Sequence, residues 1–347
     1  MANIHRRFLL AALGGLVLTP TAFAQSIADE EVPLIIRDRI EGVDPRYARY
    51  ATQGPYVFSS SPATVKGKGF DYYVFFPRRL KTPRLIVFSH GALADPLAYR
   101  DLLWHWVSHG FVVVAPLHRD SIIERGPTLR KTTVNSVSDW PIAALLEDPV
   151  AWQERAEACV SVLDDIDTLS RAIDADINIE RPIIVGHGYG AYVAQMLLGA
   201  VAKDGDGRER TFHDPRFFAG IMMSPQGPGV MGFTNDSWSK ITAPSLFLIA
   251  ENEADFTGQP AVEKAKSYLL SKAGYKHIGF LKGASTNAFS GQNAKTNTSE
   301  GKIFEAIRAI TTGFLLAYGQ YEKEAFNDMT TDFFERMSLG VVDEGRR

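Results

Sequence analysis

An α/β fold is what this sequence predicts, with a mostly parallel central sheet and helices on both faces. Two observations point there. Runs such as "FVVVAP" (111–116), "FFAGIMM" (217–223) and "SLFLIA" (245–250) are apolar without alternation, the pattern of strands covered on both sides. Between them lie segments with helical spacing of apolar residues, so strand and helix take turns along the chain.

Taken in order, residues 25–69 are turn-rich and read as a lead-in to the sheet edge. "FDYYVFFP" is a strand stopped by Pro77, and "RLIVFSHGA" a strand ending in a glycine turn. "PLAYRDLLWHWVSHG" has helical spacing through Leu97, Leu102, Leu103, Trp106 and Val107, and Gly110 ends it. Residues 117–149 are polar and mixed, a loop with a short helix near "DWPIAALL". Ala156, Cys159, Val160, Leu163, Ile166, Leu169 and Ile173 make one apolar stripe, predicting a helix over 151–173. The strand "PIIVG", a glycine turn and the helix "AYVAQMLLGAVA" follow. A solvated loop at 203–216, a helix at 260–274, the strand "HIGFL", a polar loop at 284–300 and a closing helix at 301–319 complete the pattern.

The first residues stand apart. A basic "MANIHRR", an apolar "FLLAALGGLVL" and "TPTAFA" with small residues at Ala22 and Ala24 form the three parts of a secretory signal peptide. Cleavage is expected before Gln25, leaving 25–347 as a single domain with its core at about 54–319. The expected location is a periplasm or the exterior. Loss of Arg6 and Arg7 takes the net charge from −3 to −5. Without a basic stripe, nucleic acid is not an expected partner. No further stretch is apolar enough to cross a membrane. Cys159 is the sole cysteine, so the fold has no internal disulfide, and its helical stripe predicts a buried, inert thiol.

"IIVGHGYGAYVAQ" (183–195) has the frame of a nucleophile elbow, a sharp strand-to-helix turn between Gly186 and Gly190. The tip residue is Gly188, which offers no attacking atom. A dinucleotide-binding turn is the competing reading, but G-x-G-x-x-G is incomplete because Ala191 stands at its last glycine. His90, His118 and His187 all stand at strand ends, yet their spacing forms no metal-binding motif. No cofactor or metal is expected.

The chain resembles the α/β-hydrolases, and in particular the branch of dienelactone-hydrolase-like proteins, platelet-activating-factor-acetylhydrolase-like esterases and bacterial cutinases. The likeness runs from about Gly54 to Gly319 through "VFSHGA", "WVSHGFVVVAPLHRDS", "VSVLDDIDTL", the elbow, "SPQGPG", "APSLFLIAENEAD" and "LKGASTNAF". It implies a triad whose nucleophile position is Gly188, acid position Glu253 (Asp255 if the register is shifted) and base position Thr286. It also implies an oxyanion hole from the backbone N–H groups of Ala92 and Tyr189. A chain with no serine at the tip and no histidine at 286 lacks the pair that covalent acyl transfer needs. Loss at two positions fits a natural non-catalytic homologue better than one engineered replacement. The expectation is an esterase-like protein that binds a hydrophobic ester or acyl ligand, or a protein partner, without turning it over. The alternative is an active hydrolase with a relocated nucleophile or a water activated by Glu253. Tyr189, Trp238 and Phe289 are expected to line an aromatic pocket, and His187 is expected to be a hydrogen-bonded core residue.

Overall fold

A computed structural model describes residues 44–121 and 142–347. The expected signal peptide lies outside them, as does most of the polar loop expected at 117–149.

Nine strands form the sheet: β1 (Ala63–Lys66), β2 (Asp71–Phe75), β3 (Arg84–Ser89), β4 (Phe111–Pro116), β5 (Asn178–His187), β6 (Ala219–Met223), β7 (Ser245–Asn252), β8 (Lys276–Ser285) and β9 (Val342–Arg346). Their spatial order is β1-β2-β4-β3-β5-β6-β7-β8-β9. The run β4 to β8 is parallel throughout, with register pairs such as Ile86↔Ile183, Ile183↔Ala219 and Gly220↔Ser245. β1, β2 and β9 join antiparallel at the edges.

The helices are α1 (Pro45–Ala51), α2 (Arg100–Ser108), α3 (Ile142–Leu146), α4 (Pro149–Asp164), α5 (Ile166–Ile173), α6 (Tyr189–Leu197), α7 (Ala261–Leu270), α8 (Ser299–Phe314), α9 (Lys323–Met329) and α10 (Phe333–Met337). Strand alternation sends successive side chains to opposite faces. Ile86, Phe88, Val113, Ile183, Val185 and Leu248 therefore pack under α2 and α8. Leu85, Val87, Val112, Val114, Ile184 and Phe247 pack under α4 and α6. This is the α/β architecture that the apolar runs predicted.

Three differences have local causes. The expected single helix over 151–173 is two, because Asp165 turns its carboxylate out to the Tyr72 hydroxyl (2.9 Å) and the Lys68 N–H (3.1 Å). The helix expected at 301–319 changes to a wider π turn at Leu315–Gly319. The C-terminal α9, α10 and β9 and the N-terminal α1 were not read from the sequence. They form one packed unit in which Phe333 and Phe334 meet the rings of Tyr47 and Tyr50, and the Tyr50 hydroxyl donates to Asp328 at 2.7 Å. Cys159 is fully buried, and burial pushes its thiol up to about 12, so little of the reactive thiolate exists near neutral pH.

Candidate functional site around the β5–α6 turn

The chain runs from β3 outward to β4 and then crosses to β5 on the other side of β3. The carboxyl ends of β3 and β5 thus meet at the point where strand order reverses, the usual place for a site in an open α/β sheet. The Ser89↔Gly186 register sets the loop after β3 beside the turn after β5.

That turn is tight. Gly188 sits at φ +53°, ψ −117°, a conformation that L side chains rarely adopt. Its N–H donates to the Met223 carbonyl at 2.9 Å, and its carbonyl receives the Tyr192 N–H at 3.1 Å. A Cβ on Gly188 would meet no atom within 4 Å. A Cβ on Gly186 would lie 2.1 Å from the Gly190 oxygen, and one on Gly190 would lie 1.9 Å from the Ser89 oxygen. The two outer glycines are therefore forced by backbone contact. The middle one leaves open the space that a serine side chain would fill.

Glu253 and Thr286, to which the resemblance assigns the acid and base positions, lie together. Glu253, just beyond β7, has a side chain with no exposure. Its Oε2 accepts from the Thr286 hydroxyl at 2.7 Å and the Ser224 hydroxyl at 2.6 Å, and its Oε1 accepts from the Ala250 N–H at 3.0 Å. Thr286 Oγ1 also accepts the Ala254 N–H at 2.9 Å. The buried Lys264 ammonium lies 3.7 Å from Glu253, donates to Ser224 at 3.2 Å and pairs with Asp255. The Glu253 carboxylate is thus charge-compensated and hydrogen-bonded within the protein. Asp255 is spent on Lys264 and on the Thr257 N–H at 2.9 Å. Ser224 is fully buried at φ +50°, and its proton is already given to Glu253.

Of the three candidate histidines, His187 is the one on the turn itself. Its Nδ1 shares a 2.7 Å hydrogen bond with the Tyr99 hydroxyl, which also accepts the Gly91 N–H at 3.3 Å. Phe289 packs on its ring at 5.3 Å between centroids. Burial, reinforced by the Lys264 charge, holds the imidazole neutral with its pKa down to about 4. Its Nε2 has no hydrogen-bond partner among the described residues. His90 Nδ1–H donates to the Gly91 carbonyl at 2.8 Å, and His118 Nε2 and the Ser89 hydroxyl share a 2.8 Å hydrogen bond. The His90 and His118 rings lie 4.7 Å apart, whereas His187 is engaged elsewhere.

The two residues to which the resemblance assigns an oxyanion hole, Ala92 and Tyr189, lie in the loop after β3 and at the start of α6. Tyr189 is the first residue of α6, so its N–H has no intrahelical partner. The Ala92 N–H takes no partner among the described residues. Its neighbours are fixed: Gly91 by Tyr99, and Leu93, at φ +58°, by the Asp120 carboxylate at 3.1 Å.

The expected aromatic pocket is not formed. Tyr189 and Trp238 pack in the core under α4 and α6, while Phe289 packs in the core on the opposite face of the sheet. Trp238 is wholly buried, its indole N–H donating to Gln195 at 2.6 Å. The central sheet separates Phe289 from the other two rings, so the three do not share one wall. One buried side chain that sequence reading passed over is Arg155 on α4, whose guanidinium lies 4.3 Å from the centre of the Tyr189 ring. Its position between Trp152 and Ala156, two core residues of α4, was the signal that it faces inward.

A family model described as Chlorophyllase matches residues 64–198. The matched stretch runs from β1 to the end of α6. It includes Ala92, Gly188 and Tyr189 and stops short of Glu253 and Thr286. No curated protein matches the chain. The strand order, the turn after β5 and this match give the chain the α/β-hydrolase fold.

Proposed function

We propose that this is an exported α/β-hydrolase-fold protein that binds the carbonyl group of a hydrophobic ester or acid and does not hydrolyse it. The observation behind this reading is the turn at Gly188. Its backbone is in the strained form that presents a nucleophile, the space for the side chain is open, and no side chain is there. Covalent catalysis needs both an attacking atom and a base to receive its proton. The base position offers a threonine hydroxyl that is itself donating to Glu253. A hydroxyl has no capacity to take a proton near neutral pH, and a glutamate with both oxygens already engaged is a poor activator of water. Two backbone N–H groups, on Ala92 and Tyr189, are what the turn offers a ligand, and these suit a carbonyl or carboxylate oxygen. A protein partner entering the same cleft would use the same two donors.

The test is to supply the missing groups and compare. The wild-type protein is expected to release no 4-nitrophenol from 4-nitrophenyl butyrate above the solvent rate, and to take no fluorophosphonate label. Gly188→Ser with Thr286→His is expected to gain covalent labelling at residue 188. First-order turnover by the purified wild-type protein, with or without labelling, would end the non-catalytic reading and favour a relocated nucleophile or an activated water.

A further inference from the structure

We propose that the buried Arg155–Asp120 pair is a positioning device that aims the Ala92 N–H and ties it to the turn carrying Tyr189. This rests on the reading above that these two N–H groups receive a ligand's carbonyl oxygen. The side chains of Arg155 and Asp120 are 3% and 5% exposed. The guanidinium grips the carboxylate with two parallel bonds, Nε to Oδ1 at 2.8 Å and Nη2 to Oδ2 at 2.7 Å, the geometry that arginine alone provides. Its remaining N–H groups donate to the His90 carbonyl at 2.7 Å and the Gly91 carbonyl at 3.1 Å. Asp120 Oδ2 also accepts the Leu93 N–H at 3.1 Å.

These bonds hold the peptide planes on both sides of Ala92. A trans peptide is planar, with its C=O and N–H pointing in opposite directions. The Gly91 carbonyl points at Arg155, so the Ala92 N–H in the same plane points away from it. The Leu93 N–H points at Asp120, so the Ala92 carbonyl points away from the pair and does not compete for the N–H. The same guanidinium lies against the Tyr189 ring. One cation therefore bonds the residues that precede Ala92 and packs on the ring of Tyr189, although it makes no contact with the space above Gly188 that the structure records. Besides the pair, the loop after β3 is held by His90 Nδ1–H to the Gly91 carbonyl at 2.8 Å, by the Gly91 N–H to Tyr99 at 3.3 Å and by one turn bond of its own, Ala94 N–H to the Gly91 carbonyl at 3.2 Å, but only Asp120 holds the peptide plane that follows Ala92.

The experiment compares the full-length chain with Arg155→Lys and with the double variant Asp120→Asn/Arg155→Met, which leaves no unpaired charge buried. The amide oxygen that Asp120→Asn puts in place of the carboxylate can still accept the Leu93 N–H, so any loosening reports the guanidinium. Amide exchange and 15N relaxation are followed with and without methyl hexanoate as probe. In both variants the Ala94 amide is expected to exchange at least about tenfold faster and the Ala92 order parameter to fall. Ile86, Val113 and Ile184 in the central strands should keep their protection. An unchanged Ala94 and Ala92 in the double variant overturns the inference. So does a loss of protection spread evenly over β3, β4 and β5, which would make the pair a general brace. The probe arm separates the two readings. In the wild type, methyl hexanoate is expected to move the Ala92 and Tyr189 amides, with affinity at least about fivefold weaker in the variants. Probe shifts confined to other residues would sink the functional reading, while the exchange arm would still decide the role of Arg155.

Discussion

Placing a serine at position 188 tests the geometry of the turn before any question of activity arises. At Gly188 the backbone sits at φ +53°, ψ −117°, and an added Cβ touches nothing within 4 Å. The substitution therefore costs backbone strain alone, about 1–3 kcal/mol. Gly190→Ala is a different case. Its Cβ would stand 1.9 Å from the Ser89 oxygen and 2.5 Å from the Ser89 carbonyl carbon. Both are main-chain atoms in the sheet, so β3 and α6 must part, with a cost of at least about 4 kcal/mol. Gly186→Ala meets the Gly190 oxygen at 2.1 Å and belongs with it. Urea unfolding of the three variants beside wild type reads these costs as shifts in midpoint at constant slope. The expected order is Gly188→Ser well above the other two. If Gly188→Ser proves neutral, the backbone there is not held in the strained form. If it proves as damaging as Gly190→Ala, the space above the turn is not open. Either result removes the structural basis of the functional proposal.

Other outcomes follow from the same site and from the core. Thr286→Val leaves the Ala254 N–H without its acceptor and Glu253 Oε2 with one donor fewer. It should cost about 1–3 kcal/mol in urea unfolding, and a loss below about 0.3 kcal/mol would contradict the Thr286–Glu253 bond. Burial, the largest cause in each case, holds His109, His187 and His277 neutral, with pKa values down to about 4. In the unfolded chain these histidines titrate near the usual value of about 6.5. Between those values the unfolded chain binds more protons, so stability is full above about pH 6.5 and falls as pH drops toward 4, by up to about 1.4 kcal/mol per pH unit for each group. Urea midpoints measured from pH 7.5 to 4.5 check this, and a flat profile would mean that these imidazoles are solvated. Burial also raises the Asp120 carboxyl, but Arg155 outweighs it and holds it down to about 2. Its stabilising share is present above the ordinary carboxylate range and is lost progressively as pH falls from that range through about 2, so Asp120→Asn should leave the profile above pH 4.5 unaltered in shape. Cys159 should resist a thiol reagent in the folded protein and react after urea unfolding. Rapid labelling of the native chain would contradict its burial.

What the sequence made legible was periodic. The unbroken apolar runs of β4, β6 and β7 read as strands covered on both faces, and the glycine spacing at 186 and 190 marked the turn after β5. The resemblance assigned the acid position to Glu253 and the base position to Thr286, and these two side chains are in hydrogen-bond contact at 2.7 Å. What stayed hidden depends on contacts distant in sequence. The short helices α1, α9 and α10, of five to seven residues, show too few turns for a stripe, and they are held by Tyr47 and Tyr50 meeting Phe333 and Phe334. Lys264 reads as one more charge on an exposed helix, yet it is fully buried under Glu253 and Asp255. Trp238, Tyr189 and Phe289 are adjacent to site segments in sequence, but Phe289 packs on the face of the sheet opposite the other two. Proximity in sequence to a site segment says nothing of which face a side chain takes.

The contacts of Gly186 and Gly190 also separate architecture from chemistry. Helix α6 can lie against the ends of β3 and β5 only because neither residue has a methyl group to keep main chain from main chain. That requirement is as strong in a chain that breaks no bond as in one that does. A glycine signature at such a bend is therefore a report on how closely two pieces of main chain approach, and the chemistry of the bend depends instead on what stands at position 188, the middle of the three residues between them.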